Sequence, residues 1–207
     1  MPEKEAITGI ILAGGEGRRL NHADKGLLFL DGRQLIDYVV EAIRPQVKEF
    51  YISANRSQEL YREFTANVFS DDEAYRQNGP LGGLATLLPK IRTEFALMVP
   101  CDTPNLPADL VQQLAVAFES DSKLEISIAR SDNQDQYLIA LMKTSLQEKL
   151  VQYLQIGERS VKGWLETLSW KRVELRTVNG ALANINKPQD LRSYIASPHK
   201  LKPDSEK

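Results

Sequence analysis

Residues 7–26 read ITGIILAGGEGRRLNHADKG, and the fold is decided where the apolar run gives way to glycine. Ile7 to Ala13 is short, β-branched and bounded by glycine, which predicts a strand covered on both faces. Gly14, Gly15 and Gly17 then let the backbone turn sharply and point consecutive N–H groups into one concavity, where the missing side chains admit an anion. Arg18, Arg19 and Lys25 add positive charge within the next ten residues, and arginine binds phosphate oxygens in pairs. The same residues also suit a plain flexible turn with solvated charges. Two common phosphate motifs do not fit. No Gly-Lys-Ser or Gly-Lys-Thr occurs anywhere in the chain, and a G-x-G-x-x-G pattern begun at Gly15 meets Leu20 where its last glycine belongs.

Outward from this stretch, apolar runs and helical patterns alternate. Strands are predicted at Phe50 to Ala54, Val68 to Phe69 and Phe95 to Val99. Helices are predicted at Gln34 to Arg44, closed by Pro45, and at Ser57 to Phe64, Leu84 to Ile91 and Ala108 to Phe118. Such a βα succession implies an α/β protein with a parallel sheet between two helical layers, and ligands gather at the carboxyl ends of its strands. The later part extends the sheet with strands at Glu125 to Arg130, Leu138 to Met142 and Arg172 to Leu175. Helices there are expected at Leu146 to Gln155, whose Leu146, Leu150 and Leu154 read as core, and at Ser160 to Leu168. Asn184 to Lys187 leads through Pro188 into a last helix. We expect one domain over residues 1–196 and a flexible polar tail over 197–207.

Composition narrows the function classes. The chain has 207 residues, with 26 Lys and Arg against 28 Asp and Glu and a formal net charge of -2. No broad basic field is present for nucleic acid, so any cationic site is local. One cysteine excludes an intrachain disulfide, and the opening MPEKEAITG has no apolar signal region, which points to the cytoplasm. No apolar run approaches the roughly 20 residues of a membrane span.

A second cluster, VPCDTPNLP at 99–107, places Asp102 just beyond the strand Phe95 to Val99. A carboxylate at that rim can hold Mg²⁺, which in turn binds triphosphate oxygens; the alternative is an Asx-turn entering the next helix. Cys101 has no evident basic partner, His22 lying in the glycine loop and His199 in the tail, and reads as a small buried thiol. Asp71 and Asp72 end at the same rim ahead of GPLGGL at 79–84, either as a solvated acidic loop or as acceptors for a nucleotide base or support for the metal.

Taken together, LAGGEGRRL, DKGLL, ISANR at 52–56, SDD at 70–72, GPLGGL, VPCDTPNLP and NINKP at 184–188 resemble the molybdenum cofactor guanylyltransferase family over about residues 8–191. LAGG-x-G-x-R alone is shared by many nucleotidyltransferases; Asp24-Lys25-Gly26 discriminates, since sugar-phosphate and isoprenoid-precursor relatives typically carry Pro-Lys there. The resemblance implies a Rossmann-like nucleotidyltransferase fold, three-layer α/β/α with a mostly parallel sheet. It implies transfer of GMP from GTP to the terminal phosphate of molybdopterin carrying its metal, with Mg²⁺ as cofactor and molybdoenzymes or their chaperones receiving the product. By the same resemblance Leu12, Ala13, Gly14, Gly15 and Ser53 contact GTP, Lys25 its phosphates, Asp71 the nucleoside end, and Asp102 both GTP and Mg²⁺. Lys25, Asp102 and Arg19 would be catalytic, and Asn184 and Asn186 would face the pterin. Glu158 and Arg159 fall in a family loop on that side. Where the family has His-Pro or Gln-Pro before a strand, this chain has Gln136-Tyr137. The rival readings are a relative of the same fold using CTP or a sugar phosphate, and a silent nucleotide-binding or cofactor-delivery module.

Overall fold

The computed structural model describes residues 1–15, 24–176 and 182. Strand β1 (Ile7–Leu12) is buried along nearly its whole length, as its mostly apolar run requires, and side chains alternate between two cores. A two-residue hairpin, β2 (Phe29–Leu30) and β3 (Arg33–Gln34), turns at Asp31 and Gly32, both at positive φ. That turn, a common Asp-Gly hairpin signal, was not predicted. In the main sheet β1 pairs in parallel with β4 (Glu49–Ser53) on one side and β6 (Phe95–Pro100) on the other; β5 (Val68–Phe69) lies beyond β4. Past β6 come β8 (Gln134–Lys143), β7 (Ile126–Ser131) and β9 (Trp170–Glu174), giving the order β5-β4-β1-β6-β8-β7-β9.

Only β8 runs against the others among these seven, antiparallel to both β6 and β7, while β9 is again parallel to β7. The turn that reverses β7 into β8 is Asp132-Asn133, both at positive φ. Because β8 is reversed, its amino-terminal half lies beside the carboxyl end of β6. Its register against β7 slips between Ile128 and Ala129, so that residues 137–139 bulge.

Helices cover both faces. On one, α1 (Leu35–Ile43) packs Ile36, Val39, Val40 and Ile43 into the core that also takes Leu110, Val111 and Leu114 of α4 (Leu110–Glu119). A reciprocal cap starts α1: the Gln34 backbone N–H donates to Asp37 Oδ2 at 2.8 Å. The short α2 (Gln58–Tyr61) inserts the fully buried Tyr61 into the same core. On the other face lie α3 (Pro80–Leu87), α5 (Gln147–Gln155) and α6 (Val161–Leu165), around Leu84, Leu150 and a fully buried Trp164. Leu146, Leu150 and Leu154 are core residues, as their spacing predicted. Each such aliphatic side chain contributes about 1.5–3 kcal/mol by leaving water.

The three-layer, mostly parallel architecture therefore matches the expectation, with local differences. The helix expected at Leu84 to Ile91 starts four residues earlier, because Pro80 is pre-set for a first helical turn, and Pro89 turns its end into a 3₁₀ segment, Leu88–Lys90. Those expected at Ser57 to Phe64 and Ser160 to Leu168 are single-turn pieces. The last described strand starts at Trp170 rather than Arg172, since its pairing with β7 begins at Ile126. The helix and tail expected after Asn184 lie outside the described residues. No helix among the described residues is long and apolar enough to cross a membrane.

Candidate active site

Strand order reverses direction at β1, whose chain continues to β4 and β5 on one side and then crosses to β6 on the other. A crevice opens at such a point, outside the carboxyl ends of the strands. Here it is a cleft of about 270 Å³. Its walls include Leu12, Ala13, Gly14 and Gly15 after β1, Ser53 at the end of β4, Asp71 after β5, and Cys101 and Asp102 after β6. Lys25 enters from the far end of the glycine loop. Every described residue expected at the nucleotide thus lies on one cavity. Arg19, Asn184 and Asn186, with Gly17 and Arg18, lie outside the described residues.

Backbone pairing carried past the strand ends holds the two main clusters together. The Ala13 N–H donates to the Ser53 carbonyl at 2.8 Å, and the Cys101 N–H to the Leu12 carbonyl at 3.1 Å. The amide of Ala13 is therefore committed to the sheet, and any cradle of amides begins at Gly14. Asp102 emerges one residue later, its side chain 9% exposed, and Lys25 Nζ donates to its Oδ2 at 3.2 Å. The two charges come from positions 77 apart in sequence.

Asp71 sits opposite, held from both sides. Ser53 Oγ donates to Oδ1 at 2.9 Å and Asn55 Nδ2 to Oδ2 at 2.9 Å, while the Asp71 N–H donates back to Asn55 Oδ1 at 2.8 Å. Ser53 is thus bound to Asp71 and presents the carboxylate to the cleft in a fixed orientation. Asn55 was missed as a site residue although it stands in the ISANR motif; its signal was an amide directly after a strand end at the ligand rim. Gly79, Pro80 and Gly83, part of the GPLGGL motif but given no contact of their own in the sequence reading, and Leu138 of the β8 bulge also line the cleft. Leu138 follows the Gln136-Tyr137 pair in sequence, so that the departure from the family pattern stands next to a residue that lines the cleft.

Cys101 is buried, and burial pushes its thiol well up, with the Asp102 and Asp24 carboxylates adding to the rise and Lys25 opposing it. A thiol so held stays protonated and is no nucleophile. Among the described residues no group of three or more His, Cys, Asp and Glu side chains could cage a metal ion. The cleft is lined by two carboxylates, Asp71 and Asp102, and a Mg²⁺ that arrives with a polyphosphate needs one or two beside phosphate oxygens and water.

Comparison with known proteins bears on most of the chain. The family model described as MobA-like NTP transferase domain matches residues 9–173. A molybdenum cofactor guanylyltransferase from Shewanella amazonensis is 37% identical over 185 residues, covering 89% of this chain and 93% of that protein. Among solved structures, molybdopterin-guanine dinucleotide biosynthesis protein A from Archaeoglobus fulgidus superposes with a TM-score of 0.70 at 20% identity, over 90% of this chain and 96% of that one. A 4-diphosphocytidyl-2C-methyl-D-erythritol synthase from Anaerococcus prevotii gives 0.70 at 12% identity, over 93% and 97%. At such identities the two structures speak for the fold alone.

Proposed function

The chain belongs to the MobA-like NTP transferase family, and on that premise we propose that it joins GMP from GTP to the terminal phosphate of metal-loaded molybdopterin, releasing pyrophosphate. The observation that carries this reading is the single cleft in which the glycine turn, Lys25, Asp71 and Asp102 meet. An oxygen of the pterin's phosphate attacks the α-phosphorus of GTP. A new P–O bond forms as the bond to the bridging oxygen breaks, and that electron pair leaves with pyrophosphate. No side-chain nucleophile is needed, and Cys101 supplies none.

The protein's task is to bring two anions together and hold them in line, so positioning and charge do most of the work. The amides of Gly14 and Gly15, with Lys25 and Arg19, receive the phosphates. Asp71, fixed by Ser53 and Asn55, faces the nucleoside end. Asp102 would hold Mg²⁺, which when bound offsets the charge on the reacting phosphates. Asn184 and Asn186 belong to the pterin side in this reading. The product passes to molybdoenzymes or their chaperones, and the reaction takes place in the cytoplasm.

The test is pyrophosphate release with Mg²⁺ and metal-loaded molybdopterin, offering GTP, CTP and ATP separately. Release with GTP alone, together with a guanine dinucleotide product, is expected. Release with CTP instead would reassign the base, and GTP binding without release would make the protein a delivery module.

A further inference from the structure

We propose that Arg56 and Tyr61 are positioning residues that set Lys25 and the glycine turn from behind, by clamping the described residues on either side of segment 16–23, Gly15 and Asp24. Neither lines the cleft. Both follow β4, and between them Ser57 adopts a left-handed conformation with φ 51° that starts α2, the helix carrying Tyr61. Arg56 Nη2 donates to the Gly15 carbonyl at 2.9 Å, and its Nε lies 3.8 Å from Asp24 Oδ2. One planar guanidinium therefore ties together two points nine positions apart in sequence.

Tyr61 fixes the second point. Its fully buried phenol donates to Asp24 Oδ1. Burial holds that phenol far above its ordinary range, so it remains the donor. Two residues on, Gly26 leaves no room for a side chain: a Cβ there would stand 2.6 Å from the Tyr61 hydroxyl oxygen and 3.2 Å from Cys101 Cβ. Asp24-Lys25-Gly26 thus threads between α2 and the end of β6. Its outer residues are pinned and its middle residue reaches Asp102. This gives the Asp-Lys-Gly and Ala-Asn-Arg motifs a joint physical reason: the acid of one is the anchor for the arginine of the other.

The inference rests on the proposed use of GTP, and its test separates the two. Wild type, Arg56→Ala, Arg56→Lys and Tyr61→Phe are compared for equilibrium binding of GTP and of guanosine with Mg²⁺ and without acceptor, alongside thermal unfolding. A positioning role for groups supporting the phosphates predicts GTP affinity down about tenfold or more in Arg56→Ala and guanosine affinity changed by less than about twofold. Arg56→Lys, which can keep one contact but not both, falls between. Tyr61→Phe must show the same GTP-selective loss, because its hydroxyl is buried behind the loop. A loss confined to the Arg56 variants would mean that Arg56 touches phosphate directly, and would overturn the positioning role. So would equal losses for both ligands with a lowered unfolding midpoint, or no loss at all. Wild type that binds CTP instead refutes the base assignment while the comparison is read on CTP and cytidine; wild type that binds no triphosphate refutes both.

Discussion

Gly83→Ala tests whether the Ser53–Asp71 wall of the cleft is packed as tightly as the structure shows. A Cβ at Gly83 would lie 2.4 Å from Ser53 Oγ, 2.9 Å from Ser53 Cβ and 3.3 Å from Asp71 Oδ1. Within α3, alanine would ordinarily gain about 1 kcal/mol over glycine through helix propensity. Against that, crowding a well-packed interior costs about 1–3 kcal/mol. The Ser53 hydroxyl must also swing aside, leaving a buried carboxylate oxygen short of a donor at about 1–3 kcal/mol. The net expectation is destabilisation by about 3 kcal/mol, read as a lower urea midpoint at unchanged slope. GTP affinity falls with it, because both displaced side chains face the cleft. Gly15→Ala is the contrast. Among the described residues, its chain neighbours aside, no atom lies within 4 Å of a Cβ there, so stability should change by less than about 0.5 kcal/mol. A Gly83→Ala protein that unfolds within about 0.5 kcal/mol of wild type, the usual range of an innocuous surface change, would refute the packing argument.

Asp102→Ala should leave a cooperatively folding protein whose turnover drops by at least about 100-fold, as for loss of one strong electrostatic stabiliser; near-normal turnover would reject a metal role for Asp102. In Lys25→Ala the affinity for GTP should fall further than that for guanosine, measured by titration calorimetry, and equal losses would reduce Lys25 to a support for the loop. Asp24 gives a pH prediction. Burial lifts its carboxyl above the ordinary 3.8, with the Tyr61 hydrogen bond and Arg56 pulling it back only in part. The folded state then holds the proton more tightly than the unfolded chain, so ionised Asp24 opposes folding, and the penalty is absent below pH 3.8 and complete above the raised value. Asp24→Asn should therefore gain stability relative to wild type as pH rises through that window and then level off; a difference that stays flat or declines in urea melts would sink the desolvation argument.

How much of this was legible in the chain depended on whether the cause was local. β1 and β6 were readable because a strand buried on both faces is apolar nearly throughout, and Asp71 and Asp102 were placed at one rim because parallel strands all end there. Helix ends were less readable where proline dictated them, as at Pro80 and Pro89. The Asp31-Gly32 hairpin carried its signal in two letters but has strands of only two residues, too short for any alternation to show. The reversal of β8 had a local clue in Asp132-Asn133, whose positive φ values suit a two-residue turn, yet nothing in the apolar pattern distinguishes an antiparallel neighbour from a parallel one. The contacts of Asn55, Arg56 and Tyr61 were illegible for a different reason, although the first two stand in ISANR and Asn55 follows a strand end. These residues act through tertiary hydrogen bonds to Asp71, Gly15 and Asp24, and no spacing rule connects residues so far apart.

The Lys25–Asp102 pair also bears on how such a site tolerates its own charges before substrate arrives. A carboxylate 9% exposed would suffer for its lost hydration if it faced the cleft alone, and Lys25, itself 28% exposed, supplies the countercharge at 3.2 Å. In the proposed reaction each partner exchanges the other for a charge of the same sign brought by the substrate: Lys25 turns to phosphate oxygens, Asp102 to the cation that accompanies them. Little water need be stripped from either side chain at that moment, since folding has already removed nearly all of it from Asp102 and most of it from Lys25. The electrostatic penalty is thus met when the protein folds and not when GTP binds, which is what preorganisation of a catalytic site requires. The clamp on Asp24 fits this order of events. Lys25 can change partners without its backbone moving, because the residues on either side of it are pinned to α2 and to the end of β6.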